Sequence, residues 1–319
     1  MALGVLTLPA LLVGAQHSIF QFRPMNMPPP AVSQVEALDF KFRHLRNRRD
    51  LHPDVIAVGS SMTWRHFDGE KFEAHSGLSF LNGGTSFLRV HQSRYLADFY
   101  VEMYDADYFV MLTSLPDFED CTTIPASLFN RDDVKDYVTG TRPEWFYYLK
   151  YLTLARYVRT GLELPKRMEP LEGDLWQDEY ASGPLHVPDM GLRYGRQDFD
   201  PECLRQLHLM SDDLAQAGRR FLVALIPVHP AYLQKYPDTQ ERLIALHDQI
   251  QTSLRSNGHD IVMLADDSYL ADDFFDAFHL QWPAVQRLSA AVGEQVGVRS
   301  VAYAGRTTRS ASRVPAHLR

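Results

Sequence analysis

The sequence has few cysteines and no excess of positive charge. Cys121 and Cys203 are the two cysteines in 319 residues, too few for a disulfide framework or a cysteine-based metal cluster. They form either a single bridge or two buried free thiols, so they leave the redox compartment open. The formal net charge is −8, which argues against a general nucleic-acid binder because such a protein presents a basic face. We therefore expect no nucleic-acid partner.

Charge is also missing from the start of the chain. Residues 2–16 contain no charged side chain, and they resemble the hydrophobic region of a secretory signal or a membrane anchor. The run is shorter than the ~20 residues that a spanning helix needs, and no basic residue precedes it. We expect residues 1–33 to be a hydrophobic leader with a proline-rich linker, and the protein to be periplasmic or membrane-anchored outside the cytoplasm. The alternative is a cytoplasmic protein whose apolar N-terminal segment packs on the domain.

Five short runs of continuous apolar residues follow along the chain. Such runs indicate strands that are buried on both faces, as in a parallel sheet. Helical patterns separate several of them, and strands that alternate with helices predict βαβ units. The sequence therefore predicts a doubly wound α/β fold with three layers around a five-stranded parallel sheet. The predicted strands lie in residues 54–61, 78–85, 107–115, 220–229 and 260–266, and the helices in residues 90–104, 201–218, 238–258 and 283–296.

One long stretch, residues 118–199, breaks this alternation. It leaves the carboxyl end of the third predicted strand, where open α/β sheets place their ligand crevice. We expect it to be a lid or a substrate-binding insertion within one domain that covers residues 34–300. The alternative is that its aromatic residues only pack a helix onto the domain. The basic residues 301–319 are expected to form a disordered tail.

A serine stands at the carboxyl tip of the first predicted strand, in the block Gly59-Ser60-Ser61. The following helix N-terminus offers backbone N–H groups and the positive end of its dipole, which suit a nucleophile whose attack creates an oxyanion. The alternative is that Ser60 or Ser61 only caps that helix.

Asp276 and His279 follow the fifth predicted strand. Three residues apart, they can lie on one side of a helical turn, where the carboxylate orients the imidazole and the other ring nitrogen faces a nucleophile. Since this segment returns to the crevice where Ser61 lies, the sequence predicts a catalytic triad of Ser61, Asp276 and His279. The second predicted strand ends in Asn82-Gly83-Gly84, where a backbone without side chains could approach a substrate oxygen and donate an N–H group to it. An ordinary tight turn is the alternative for this segment.

This order of blocks resembles the SGNH/GDSL hydrolase superfamily over roughly residues 52–296. The Gly-Asp-Ser block of that family corresponds to Gly59-Ser60-Ser61, its oxyanion glycine to Gly84, and its Asp-x-x-His block to Asp276 and His279. The resemblance implies a flavodoxin-like fold and serine-dependent acyl transfer with no cofactor. The Gly-Ser-Ser block is more similar to the exported acyl-transfer branches, namely the alginate acetylation proteins and the D-alanine transfer (DltD-like) proteins. This similarity implies an O-acetyl esterase or O-acetyltransferase that acts on a cell-envelope or exported polysaccharide. For a transferase, it also implies a membrane partner that delivers the acyl donor.

The third block departs from the family pattern. The family carries an Asn there that donates to the oxyanion, whereas this chain reads Thr113-Ser114-Leu115-Pro116-Asp117. An ionised Asp117 cannot donate. We therefore expect the backbone N–H groups of Ser61 and Gly84 to form the oxyanion hole, with help from Thr113 or Ser114. Because the loss of one donor costs about 10²–10³ in rate, the alternatives are a slow enzyme, a transferase with altered geometry or a non-catalytic binding or assembly protein of the envelope.

The remaining candidates concern substrate and metal. His229, Arg89 and Thr113 are the candidate substrate-binding residues for a glycan or acyl ester, and His66 and His91 have similar standing to Arg89. Solvated polar side chains are the alternative for these residues. The acidic residues between 266 and 276 match no defined cation loop, so we expect a solvated loop and no metal site.

Overall fold

A computed structural model describes residues 27–169, 175–183, 191–264 and 268–311 of the chain. Five strands form one sheet: β1 (Val55–Ala57), β2 (Phe80–Asn82), β3 (Tyr108–Thr113), β4 (Arg220–Leu225) and β5 (Asp260–Met263). The first helices are α1 (Glu36–Asn47), α2 (Ser61–Trp64), α3 (Gly69–Ser76), α4 (Val90–Met103), α5 (Arg131–Thr139) and α6 (Glu144–Lys150). They are followed by α7 (Leu154–Arg167), α8 (Pro201–Gln216), α9 (Pro230–Lys235), α10 (Thr239–Arg255) and α11 (Ala284–Ala311). Short 3₁₀ helices cover Leu115–Phe118 and Ala271–Asp273.

All strand pairs are parallel, and the strand order is β2-β1-β3-β4-β5. Every residue of β1, β2 and β3 is buried, as the continuous apolar runs predict. Helix α4 packs against α8, and α8 packs against α10, while α3 packs against α11. This arrangement confirms the predicted α/β class: helices flank a five-stranded parallel sheet in a flavodoxin-like, three-layer fold.

Two predicted helix ends coincide with left-handed glycines. Gly218 after α8 has φ +73°, and Gly258 after α10 has φ +68°, a conformation that glycine adopts without a Cβ penalty. Helix α11, in contrast, continues over residues 301–311, part of the segment expected to be a disordered tail. No proline interrupts this stretch before Pro315, so the helical hydrogen bonding can continue. Residues 312–319 lie outside the described residues.

The stretch 118–199 carries α5, α6 and α7 in its described part. Helix α5 packs on α1, and a disulfide joins Cys121 in this stretch to Cys203 in α8. The single bridge, one of the two alternatives for these cysteines, is therefore the one observed.

Residues 1–26, which include the apolar run, lie outside the described part of the chain. Among the helices that are described, none combines the length and the apolar character needed to cross a membrane.

Candidate active site

The turn after β1 places Ser61 at the first position of α2. Ser60 is the N-cap of this helix, because its Oγ accepts the Met62 N–H at 3.1 Å. Helix capping is therefore the role of Ser60, which leaves the Ser61 hydroxyl available for another partner. Among the described residues, the Ser61 N–H donates to no acceptor, as expected at the first turn of a helix.

Gly59 is required by the geometry of this turn. Its φ is +152°, and an added Cβ would lie 2.2 Å from Thr63 Oγ1. That hydroxyl donates to Leu112 O at 2.9 Å and accepts the Leu112 N–H at 3.1 Å. A side chain at position 59 would therefore displace the contact that fixes α2 to β3.

Ser61, His279 and Asp276 form a hydrogen-bonded chain. His279 Nε2 lies 2.9 Å from Ser61 Oγ, and His279 Nδ1 lies 2.9 Å from Asp276 Oδ2. The Phe278 and His279 N–H groups each donate to Asp276 Oδ1 at 2.9 Å. Burial acts to raise the pKa of Asp276, but the hydrogen bonds from His279 and the backbone outweigh it and hold this pKa below its usual value. The ionised carboxylate therefore favours an imidazole that carries its proton on Nδ1, with Nε2 free to accept the Ser61 proton.

The two acid–base residues lie in a closed loop before α11, and not on the helical turn that their spacing suggested. Phe274 pairs with Leu280 in an antiparallel bridge, and the Phe275 N–H donates to His279 O at 2.7 Å. These backbone contacts close the loop, and the closed loop holds Asp276 beside His279 as a helical turn would have done.

His66 connects this loop to the helix that carries Ser61. Its Nδ1–H donates to Met62 O at 2.7 Å, and its Nε2 accepts the Leu280 N–H at 2.7 Å. Both bonds require the neutral ring. Burial, with a smaller contribution from nearby His279, lowers the pKa of His66 to about 3.

We expect the acid sensitivity of the fold to depend on His66. Its pKa is about 3 in the folded state and about 6.5 in the unfolded chain, so unfolding takes up a proton between these values. The stability due to the neutral ring is complete above pH ~6.5 and is lost as the pH falls, by about 2 kcal/mol at pH ~5. Urea unfolding at both pH values should therefore show a smaller loss for His66→Gln than for the wild type. Exposed His52, changed to Gln, is the matched control, and equal losses in wild type and His66→Gln would contradict the argument.

A cavity of about 540 Å³ opens beside Ser61. The stretch 118–199 contributes Arg167, Leu175, Arg193 and Tyr194 to its lining. The other described lining residues are Val35, Glu36, Ala37, Ser61, Arg65, Ser86, Phe87, Phe275, Asp276 and His279.

Charged and aromatic side chains shape this cavity. The Arg65 guanidinium stacks on Trp64 at 3.9 Å and donates to Gly183 O at 2.8 Å, which holds it in the wall. Arg167 pairs with Glu36 at 3.0 Å. Phe87 is 86% exposed and has φ +60°, an uncommon backbone conformation for a bulky residue.

Gly84 does not present its N–H to the cavity as expected. That N–H donates to the side-chain oxygen of Asn82 at 3.0 Å, while the Asn82 amide donates to Thr63 O at 3.2 Å and Trp64 O at 3.1 Å. An added Cβ at Gly84 would lie 2.9 Å from Thr63 Cγ2. The absence of a Cβ at Gly84 therefore permits close packing on α2, and the Gly84 N–H is already bonded to Asn82.

The three candidate substrate-binding residues are placed elsewhere. None of Arg89, Thr113 and His229 lines the cavity. The Arg89 guanidinium donates to Pro116 O at 2.9 Å, and the Thr113 hydroxyl donates to Asp117 Oδ2 at 2.8 Å. His229 caps α9 by accepting the Ala231 N–H at 3.0 Å. Each residue thus uses polar atoms to hold a loop or a helix end, and a sequence does not distinguish such a use from ligand binding.

Asp117 lies beneath the nucleophile turn. Burial raises its pKa to about 6, against the effect of hydrogen bonds from Ser60 and Thr113 and of the Arg89 charge. As an acceptor for the Ser60 hydroxyl, Asp117 holds the residue before Ser61 rather than supplying an oxyanion donor.

Within the described residues, no group of three or more His, Cys, Asp or Glu side chains could hold a metal ion. Asp266 and Asp267, the first members of the acidic cluster, lie outside those residues. Asp273 pairs with Arg287 at 2.9 Å.

The fold and the site together define a flavodoxin-like α/β protein with a hydrogen-bonded Ser–His–Asp chain at the carboxyl edge of its sheet. No family model matches the chain, and no curated protein sequence matches it. A solved structure from Streptococcus pneumonia, provisionally described as a platelet activating factor, is similar with 14% sequence identity and a TM-score of 0.46. The match covers 93% of this chain and 99% of that one.

Proposed function

We propose that this chain is a serine-dependent acyl-transfer enzyme of the SGNH type, an esterase or O-acyltransferase. The observation that carries the proposal is the hydrogen-bonded chain from Asp276 through His279 to Ser61 beside an open cavity. An Nε2 atom 2.9 Å from a serine hydroxyl is within the range for general-base activation.

The reaction would proceed through an acyl-enzyme. Ser61 Oγ attacks the ester carbonyl as its proton passes to His279 Nε2, and the charge of Asp276 stabilises the imidazolium. Collapse of the tetrahedral intermediate breaks the C–O bond, and His279 returns the proton to the leaving alcohol. Water then takes the acyl group in an esterase, or a sugar hydroxyl takes it in a transferase, with His279 again as the base.

We further propose that the substrate is an O-acyl group, such as acetyl, of an envelope or exported glycan. The Cys121–Cys203 disulfide supports a location outside the cytoplasm, because such bonds persist in oxidising compartments. The uncharged residues 2–16 support the same location, as a signal or anchor. In a transferase, a membrane partner would deliver the acyl donor.

Covalent labelling tests the proposal. The full chain should react with a fluorophosphonate and turn over p-nitrophenyl acetate, and peptide mass spectrometry should place the adduct on Ser61. Protein unfolded in urea, in which His279 no longer contacts Ser61, is the control and should not be labelled. Absence of both labelling and turnover would overturn the proposal and favour a non-catalytic binding protein, and an adduct confined to another serine would overturn the assignment of Ser61.

A further inference from the structure

The oxyanion of the proposed reaction has few donors in this site. The Ser61 N–H is free among the described residues, but the Gly84 N–H is bound to Asn82. The Thr113 hydroxyl is bound to Asp117. Since each missing donor costs about 10²–10³ in rate, an efficient enzyme would need a further donor in the cavity lining.

Tyr194 lines the cavity together with Ser61, Asp276 and His279. Its ring packs edge-on against Phe278, with centroids 5.0 Å apart and planes at 88°. Phe278 and His279 both belong to the closed loop before α11, residues 274–280, which we call the triad loop. The Tyr194 ring also lies near the His279 ring, with 6.3 Å between the centroids. Contact with these two rings fixes the direction of the tyrosine side chain.

Charged groups from both loops next to the nucleophile act on the Tyr194 hydroxyl. It interacts electrostatically with Asp276 in the triad loop, and with Asp117 and Arg89 next to the end of β3. The SGNH superfamily supplies an Asn donor from this side of the crevice, where this chain has none. The Tyr194 hydroxyl is thus close enough to the residues after β3, where this chain lacks that Asn, to interact with their charges.

This hydroxyl is also available to donate. It makes no hydrogen bond to any described residue, although the side chain is half-buried. Burial raises the pKa of Tyr194 well above its usual value, and the negative charges of Asp276 and Asp117 add to the rise. The group therefore keeps its proton throughout the pH range in which a serine enzyme works.

We propose that Tyr194 is a further catalytic residue that donates its O–H to the oxyanion, in the role that the family gives to an Asn. The inference rests on the proposed function. As Ser61 Oγ bonds to the carbonyl carbon, the π electrons move to the carbonyl oxygen, and the Ser61 N–H and the Tyr194 O–H donate to it. The tyrosine keeps its proton, and re-formation of the carbonyl expels the alcohol.

The test compares full-length wild type with Tyr194→Phe, which removes the oxygen and keeps the ring. We expect kcat for p-nitrophenyl acetate to fall by about 10²-fold, with KM within about twofold because the donor acts mainly in the transition state. Tyr236 is a half-buried tyrosine at the end of α9 that packs on Tyr232. The change Tyr236→Phe is the matched control and should retain wild-type turnover.

A second measurement separates catalysis from packing. Phenylboronic acid forms a tetrahedral adduct on a catalytic serine, so its affinity should fall in Tyr194→Phe by a factor similar to that in kcat, while the urea midpoint stays unchanged. An unchanged kcat, or a change confined to KM, would overturn the role of Tyr194. A comparable loss of kcat in Ser86→Ala and not in Tyr194→Phe would also overturn this role. Ser86 carries the other hydroxyl in the described lining that makes no described hydrogen bond.

The failure of this inference and of the proposed function are distinguishable. If Ser61→Ala is inactive and Tyr194→Phe is fully active, only the tyrosine assignment is overturned. If Ser61→Ala retains full turnover, the proposed function falls and the inference with it.

Discussion

Replacement of Ser61 by alanine is expected to lower kcat for p-nitrophenyl acetate by about 10⁴-fold or more. The hydroxyl is the only oxygen within hydrogen-bond distance of His279 Nε2 in the described structure, so no neighbouring residue can replace it as the activated nucleophile. Fluorophosphonate labelling should disappear with turnover. The fold should be unaffected, because the helix cap belongs to Ser60 and the Ser61 hydroxyl bonds only to His279.

Steady-state kinetics and urea unfolding on the same preparations measure both expectations. Ser253→Ala in α10 is the matched control, since its hydroxyl only donates to Gln249 O within its own helix. Turnover within tenfold of wild type in Ser61→Ala, with the protein folded, would show that another group performs the attack.

The sheet follows from the sequence because burial on both faces leaves a direct trace in composition. All three residues of β1 and all six of β3 are buried, and both strands lie inside the predicted apolar runs. The runs overestimate the strand lengths, since β1 ends at Ala57 and not at Ser61. The residues beyond it are buried too, but they form the turn and the helix cap that position the serine.

The chain Ser61–His279–Asp276 could be anticipated from residue order, because parallel strands bring the ends of β1 and β5 to one edge. The oxyanion donors could not be anticipated in this way. Whether Gly84 offers its N–H depends on where the Asn82 side chain folds, and a side-chain rotamer leaves no periodic signal in a sequence. The candidates Arg89 and His229 do not line the cavity for a related reason, since the polar groups that bind ligands also hold loops and helix ends together.

The positions of Tyr194 and His66 could not be predicted from the sequence, for different reasons. Tyr194 lies in an irregular segment, where no helical or strand period indicates the direction of a side chain. His66 was visible as a histidine shortly after the nucleophile, but its partner, the Leu280 N–H, is 214 residues away in the chain. Contacts of this range depend on how the loops pack, which composition and spacing do not specify.

The change Asp276→Asn should lower kcat by about 10⁴-fold while the fold is retained. Asp276 Oδ1 accepts the Phe278 and His279 N–H groups, and an asparagine oxygen can keep both bonds. The amide NH₂ then faces His279 Nδ1, which must become an acceptor. The imidazole proton moves to Nε2, the atom that should receive the Ser61 proton, so the general base is lost although every heavy atom keeps its place.

Three measurements on Asp276→Asn check this chain of reasoning: kcat, the urea midpoint, and the ¹⁵N chemical shifts of the His279 ring, which should report the proton on Nε2. Asp273→Asn is the matched control three residues earlier, because its carboxylate pairs with Arg287 outside the triad. Its turnover should stay within a few-fold of wild type. If Asp276→Asn retained more than about a tenth of wild-type kcat with the proton still on Nδ1, the carboxylate would not control the tautomer. A loss of kcat accompanied by a lower urea midpoint would instead assign Asp276 to closing the loop between Phe274 and Leu280.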